Sequence, residues 1–212
     1  MRPGAWLYVL IPLVVVGGAA VLVGVLAAPG GRTASAELSS LCPDVSSLEG
    51  FTLTSEILSP NGSNVGTSVR PGDAASLTRL YEQAGRQGAI KRTYTQEHPE
   101  GEVVCTVEKY ADSAGASLLF KETGFLTRPL LGRSDSGTFS RQTTRRIGDE
   151  SKHYTSNHAV LSSAAVIFRV DNMLARIDVR DHSSGEWLGG GGLSGYAEKL
   201  ARQLEKRLKA SR

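Results

Sequence analysis

Apolar positions open the chain as one unbroken run and then recur in short periodic groups. Residues 5–28 read AWLYVLIPLVVVGGAAVLVGVLAA, 24 positions without a charged side chain. At a helical rise of about 1.5 Å per residue that run is about 36 Å long, enough to cross a hydrocarbon core of about 30 Å with some tilt. A cleaved secretory signal needs an apolar stretch of only about 7–15 residues. Pro12, Gly17, Gly18 and Gly24 are tolerable in a membrane helix, and Trp6 and Tyr8 suit its interfacial end. The pattern therefore predicts a retained transmembrane anchor over 1–28. The alternative is cleavage at the A-x-A pattern Ala34-Ser35-Ala36, several residues past the run. Arg2 and the terminal amine precede the run, while Arg32 is the only basic residue between 29 and 69. That bias places the N-terminus in the cytoplasm and everything after the anchor outside it.

Beyond a small, polar linker at 29–40 the periodicities change. Residues 51–58 alternate as a strand, Pro60-Asn61-Gly62 marks a turn, and 64–70 reads as its returning partner. Asp73 is the expected N-cap of a helix through Arg86, with Leu77, Leu80, Tyr81 and Ala84 on one face and Gly85 and Gly88 ending it. Residues 89–97 and 102–110 form a predicted hairpin across His98-Pro99-Glu100-Gly101, with Val103, Cys105 and Val107 on one face. Ser113 is the expected cap of a short helix carrying Ala116, Leu119 and Phe120 and closed by Gly124. Residues 127–137 read as a long loop, followed by a strand at 139–147.

The sharpest local signal is AAVIFRVDNMLARIDVR at 164–180, a hairpin turning at Asp171-Asn172. Its register pairs Val170 with Met173, Phe168 with Ala175, and Val166 with Ile177. One face is then wholly apolar. The other holds Ile167, Arg169, Leu174, Arg176 and Asp178, as expected for an antiparallel sheet covered on one side. Leu193, Ala197, Leu200, Leu204 and Leu208 step by three or four and predict a closing amphipathic helix over 193–209.

Composition narrows the class. The roughly 175 residues after the anchor and the short linker make one globular domain. A net charge of +3 with a pI near 8.9 is no nucleic-acid footprint. Cys42 and Cys105 are the only cysteines, and both follow the anchor, so they are expected to form a disulfide. The alternative is a pair of buried thiols. Zinc is not expected, because neither cysteine has a second ligand at the usual spacing.

Candidate chemistry is sparse. Gly190-Gly191-Gly192-Leu193-Ser194-Gly195 fits G-x-G-x-x-G, but the preceding strand ends about ten residues earlier and no βαβ unit can follow, so a flexible glycine connector is expected. Gly192-Leu193-Ser194-Gly195-Tyr196 misses the G-x-S-x-G elbow at its last position. His153 and His158 are spaced five apart, off-phase for a metal pair, and read as solvated residues beside a strand. Gly148-Asp149-Glu150 reads as a solvated turn rather than an acid–base pair. Arg128, Arg133, Arg141, Arg145 and Arg146 make a basic stretch suited to anionic headgroups or an acidic ligand, though a solvated face explains it as well. Trp187 is a candidate pocket wall or packing residue. Ala20, Gly24 and Ala28 form a small-residue stripe that could pair two anchors into a homodimer.

The anchor, the order strand–helix–hairpin–helix, then RRIGDES, VIFRVDNMLARIDV and a final YAEKLARQLEKRL helix resemble membrane-tethered sensor-like modules of bacteria with PsbP-type folds. The resemblance spans roughly 41–208 and rests on structural motifs only. It implies an antiparallel sheet flanked by helices, and binding of a ligand or partner rather than turnover.

The expectation is thus an α+β domain at 41–212, with an antiparallel sheet flanked by helices and preceded by one transmembrane helix. It is a membrane-anchored, extracytoplasmic binding or sensor-like protein with no enzymatic activity. Its partners are the lipid bilayer through residues 5–28 and an unknown small-molecule or protein ligand, with no cofactor, metal or nucleic acid. The alternatives are a secreted protein after cleavage, or an envelope enzyme without a recognisable catalytic motif.

Overall fold

The computed structural model describes residues 37–60, 71–122, 138–142, 146–158, 161–183 and 189–211. The expected anchor, the linker up to residue 36, the 64–70 strand and the 127–137 loop lie outside them. Strands β1 (Thr52–Pro60), β2 (Arg86–Gln96), β3 (Gly101–Tyr110), β4 (Thr138–Gln142), β5 (Glu150–His158), β6 (Leu161–Val170) and β7 (Met173–Asp181) form one sheet in the order β1-β2-β3-β7-β6-β5-β4. Every neighbouring pair is antiparallel. Two meanders, β1–β3 and β4–β7, are therefore joined where β3 pairs with β7. Helices α1 (Pro71–Gln83), α2 (Ser113–Glu122) and α3 (Gly189–Ala210) complete an α+β domain.

The β6–β7 hairpin has the expected register, Val170 with Met173, Phe168 with Ala175 and Val166 with Ile177. Asp171 takes a φ of 55° at the turn, which an aspartate accepts more readily than a branched residue. The inward residues Val166, Phe168, Val170, Ala175, Ile177 and Val179 meet α3, whose Leu193, Ala197, Leu200, Leu204 and Leu208 are all buried. The stripe on the closing helix thus packs as its periodicity predicts. Its start differs: the glycines at 189–192 are the first turn of α3 rather than a connector. Each glycine weakens a helix by up to about 1 kcal/mol, a cost offset by the apolar stripe that follows.

The opposite face is not left to solvent, which corrects the one-sided sheet. Leu77 and Tyr81 of α1 and Leu119 and Phe120 of α2 share a second core with Ile167 and Leu174. Two large apolar residues on a mixed face were enough to require cover, and each removes water at about 25 cal/mol per Å² of apolar surface.

Local boundaries also move. Pro71 opens α1, a position where its missing N–H costs nothing, so Asp73 lies inside the helix rather than capping it. Gly85, at a φ of 64°, ends the segment, and Arg86 and Gly88 belong to β2. Asp112, not Ser113, caps α2: its Oδ1 accepts the Gly115 N–H at 2.8 Å. A Cβ on Gly115 would lie 2.0 Å from the Ala84 carbonyl oxygen, so only glycine lets α2 sit on the turn after α1. β4 stops at Gln142, and Ile147 is a fully buried residue outside any strand. β5 (ESKHYTSNH) has no apolar alternation to announce it. Its place between β4 and β6 comes from ladder hydrogen bonds, not from a greasy face.

Candidate functional site

Away from α1 and α2, the second face of the sheet becomes polar. Nearest the helices, Glu108 of β3 accepts a hydrogen bond from the Tyr110 hydroxyl and pairs with Arg86 at 3.2 Å. The Arg86 guanidinium lies 4.2 Å from the centroid of the Tyr81 ring. Burial and the adjacent Glu108 carboxylate hold both phenols, Tyr81 and Tyr110, far above the usual tyrosine range. They are neutral donors, and the cluster is a closed structural network. Next along the face, Arg176 grips Asp178 in a two-point contact, Nε to Oδ2 at 2.6 Å and Nη2 to Oδ1 at 2.5 Å. Both residues are buried, and each neutralises the other.

Two residues further along, a continuous polar row crosses five strands. Register places Thr95 opposite Glu102, Glu102 opposite Arg180, Arg180 opposite Ser163, and Ser163 opposite Ser156. Directly opposed residues share a face. The Arg180 Nη1 donates to Glu102 at 3.1 and 3.4 Å. Among the described residues its Nε is buried and without a hydrogen-bond partner, and so is the Ser163 Oγ, on a residue only 3% exposed. No sequence motif marks this row, because its members come from five separate segments. The only local trace is a serine and an arginine on the non-core phase of a strongly patterned hairpin.

The residues singled out by sequence lie elsewhere. Cys42 and Cys105 form a disulfide with a Cα–Cα distance of 5.9 Å, both fully buried. The Gly148-Asp149-Glu150 turn is not merely solvated. Asp149 Oδ2 accepts the Asp171 N–H at 2.6 Å, and Arg169 pairs with both Asp149 and Glu150. The Gly148 N–H donates to Glu205 of α3 at 2.8 Å. The two acids lock the β6–β7 turn to the start of β5, which gives them structural work in place of acid–base work. Gly148 itself has a φ of 64°, and an added Cβ would fall 2.2 Å from the Arg169 carbonyl oxygen.

His153 and His158 both lie on β5. His153 is not solvated: it is 4% exposed, and neither ring nitrogen has a partner among the described residues. Burial beneath α3 pushes its pKa below the usual 6.5, with Glu198 opposing and Arg202 reinforcing that shift. The sign of the pH effect follows. Above about 6.5 the ring is neutral folded or unfolded, and stability is at its full value. As pH falls below that value the unfolded chain takes up a proton that the folded chain refuses, so stability drops until the lowered folded value is passed. Urea midpoints should fall between pH 7.5 and 5. The part of that fall due to His153 should vanish in His153→Leu; an unchanged slope would remove His153 as its source.

Ser194 sits within α3, where the G-x-S-x-G reading has no strand-to-helix elbow to occupy. Arg141 lies on β4 and Arg146 is exposed, while Arg128, Arg133, Arg145 and Trp187 fall outside the described residues. Among the described residues, no group of three His, Cys, Asp or Glu is placed to hold a metal ion, and no helix is long and apolar enough to cross a membrane.

No protein-family model matches the chain, and no curated protein matches it either. Among solved structures, the extracellular domain of PknH from Mycobacterium tuberculosis has a similar fold, with a TM-score of 0.55 at 10% sequence identity. The match covers 83% of this chain and 96% of that domain. At this identity the likeness concerns fold alone; the PsbP-type relation expected from the sequence is not shown by it.

Proposed function

We propose that the chain is a single-pass membrane protein, anchored through residues 5–28, whose C-terminal domain is an extracytoplasmic, sensor-like binding module. The observation that carries this reading is the buried Cys42–Cys105 disulfide, which staples the segment just after the linker to the third strand of the sheet. Such bonds persist in oxidising compartments and are rare where thiols are kept reduced. The likeness to a domain that is extracellular in its own protein supports the same placement. The sheet face supports binding rather than turnover. Its charged groups are mostly paired with one another, while two donors in the polar row have no partner among the described residues.

The test is topological and uses the full chain in cells. Protease added to intact spheroplasts should digest the C-terminal domain, and the membrane fraction should keep a chain whose N-terminus precedes residue 5. Survival of the domain would overturn the orientation. A mature N-terminus near Glu37 would replace the anchored reading with a secreted one.

A further inference from the structure

We propose that the outer edge of the sheet, strand β1 with the turn before it, rests on the surface of the bilayer; this rests on reading residues 5–28 as an anchor. Among the described residues, four large apolar side chains stand exposed: Val45 at 40%, Leu53 at 40%, Ile57 at 38% and Leu58 at 44%. All four lie on β1 or on the 3-10 turn at Val45–Ser47 just before it. Single exposed apolar residues are ordinary, but four gathered on one short segment mark a contact surface. The Tyr94 hydroxyl donates to the Pro43 carbonyl, and Tyr94 is the register partner of Leu53. The turn is thus held against the same strand pair.

The tether brings this edge to the lipid. Residues 29–36 separate the proposed anchor from Glu37. Fully extended, that stretch spans at most about 30 Å. The chain then enters the domain at the β1–β2 end of the sheet: a Cβ on Gly88, the register partner of Pro60, would lie 3.4 Å from Leu38 Cδ1.

The strand itself selects lipid over a second strand. Leu53 and Leu58 oppose Tyr94 and Ile90, which belong to the core under α3, whereas Ile57 opposes Lys91 on the other face. A strand added to this edge would touch these side chains only from the side, while the fluid headgroup–acyl boundary closes around both faces. β1 is also blunted against pairing. Its register is interrupted between Leu53 and Ser55, and its last residue, Pro60, has no N–H to give. Its central Glu56 would face its own copy in an antiparallel pair, and directly opposed like charges destabilise a sheet. The unpaired backbone groups of the edge keep the lipid contact shallow, where water and headgroups still satisfy them.

The test is methyl NMR on the full chain in phosphatidylcholine nanodiscs, with and without a lipid carrying gadolinium on its headgroup. The methyl signals of Val45, Leu53, Ile57 and Leu58 should lose more than half of their intensity to that lipid. Leu161, half-buried on β6 and separated from β1 by three strands, should keep its own. In the variant Leu53→Ser/Ile57→Ser/Leu58→Ser, which changes exposed positions only, Val45 should recover its intensity with the chain still on the disc. Broadening that persists at Val45 in that variant would show that the tether alone keeps the edge near the lipid, and overturns the apolar contact. Four unbroadened signals in a chain that elutes with the discs remove the lipid contact and keep the anchor, whereas a chain that does not elute with the discs removes both. Shifts at β1 that follow the number of chains per disc and ignore the gadolinium lipid assign the edge to a second copy and overturn the proposal.

Discussion

Replacing Cys42 and Cys105 together by alanine should lower the unfolding free energy by about 4 kcal/mol, the entropy that a cross-link of this length removes from the unfolded chain. The two residues are 63 apart in sequence. For a domain of this size that corresponds to a fall in Tm of about 8–16 °C. The segment being tied matters as much as the loop. Leu38, Leu41, Leu48 and Phe51 are buried against the α3 side of the sheet, and the Tyr94 hydroxyl donates to the Pro43 carbonyl. Arg207 of α3 donates to the Cys42 carbonyl at 2.8 Å. These contacts survive in the double variant, so the fold should persist with a lower melting point. Thermal melts of the wild type, with and without reductant, and of the variant give the comparison. A change below about 1 kcal/mol would show that residual structure already holds positions 42 and 105 close together in the unfolded chain without the bond.

The second large effect concerns the pair under α1. Glu108→Ala leaves the Arg86 side chain, which has no exposed surface, facing Tyr81 without the carboxylate 3.2 Å away. Removing one partner of a buried ion pair costs about 3–5 kcal/mol, much of it the penalty of the charge left behind. The double variant Arg86→Met/Glu108→Leu removes both charges and should recover most of that loss. Urea denaturation at neutral pH reads both. If the single variant loses under 1 kcal/mol, water reaches Arg86 and the network is not sealed. If the double variant is as unstable as the single, shape rather than charge holds α1 in place.

Both effects involve features of different visibility. Two cysteines after an anchor-like run announce their pairing by count and context. Arg86 and Glu108 announce nothing. Arg86 reads as the end of a helix and Glu108 as an outward position of a strand, and they become a buried pair only because α1 folds back over β2 and β3. The same holds for His153, which sits in a polar segment and is buried by a helix that begins 36 residues later. Gly115 and Gly148 are likewise ordinary glycines in sequence. Their necessity lies in the carbonyl oxygens of Ala84 and Arg169, brought against them by packing.

The polar row of Thr95, Glu102, Arg180, Ser163 and Ser156 is the extreme case. The β6–β7 half was legible, since an apolar phase of period two puts Ser163 and Arg180 together on the other face. The rest depends on β3 pairing with β7 and on β5 being a strand at all.

Short-range physics was enough to decide where apolar residues repeat, which face of the β6–β7 hairpin turns inward, where α3 carries its stripe, and that two cysteines are available to each other. Those properties need only periodicity, turn chemistry and counting. Only the packing of distant segments decided which mixed face is covered and which charges are sealed in pairs. Burial and pairing are relations between segments distant in the chain, and no local window of residues contains both members.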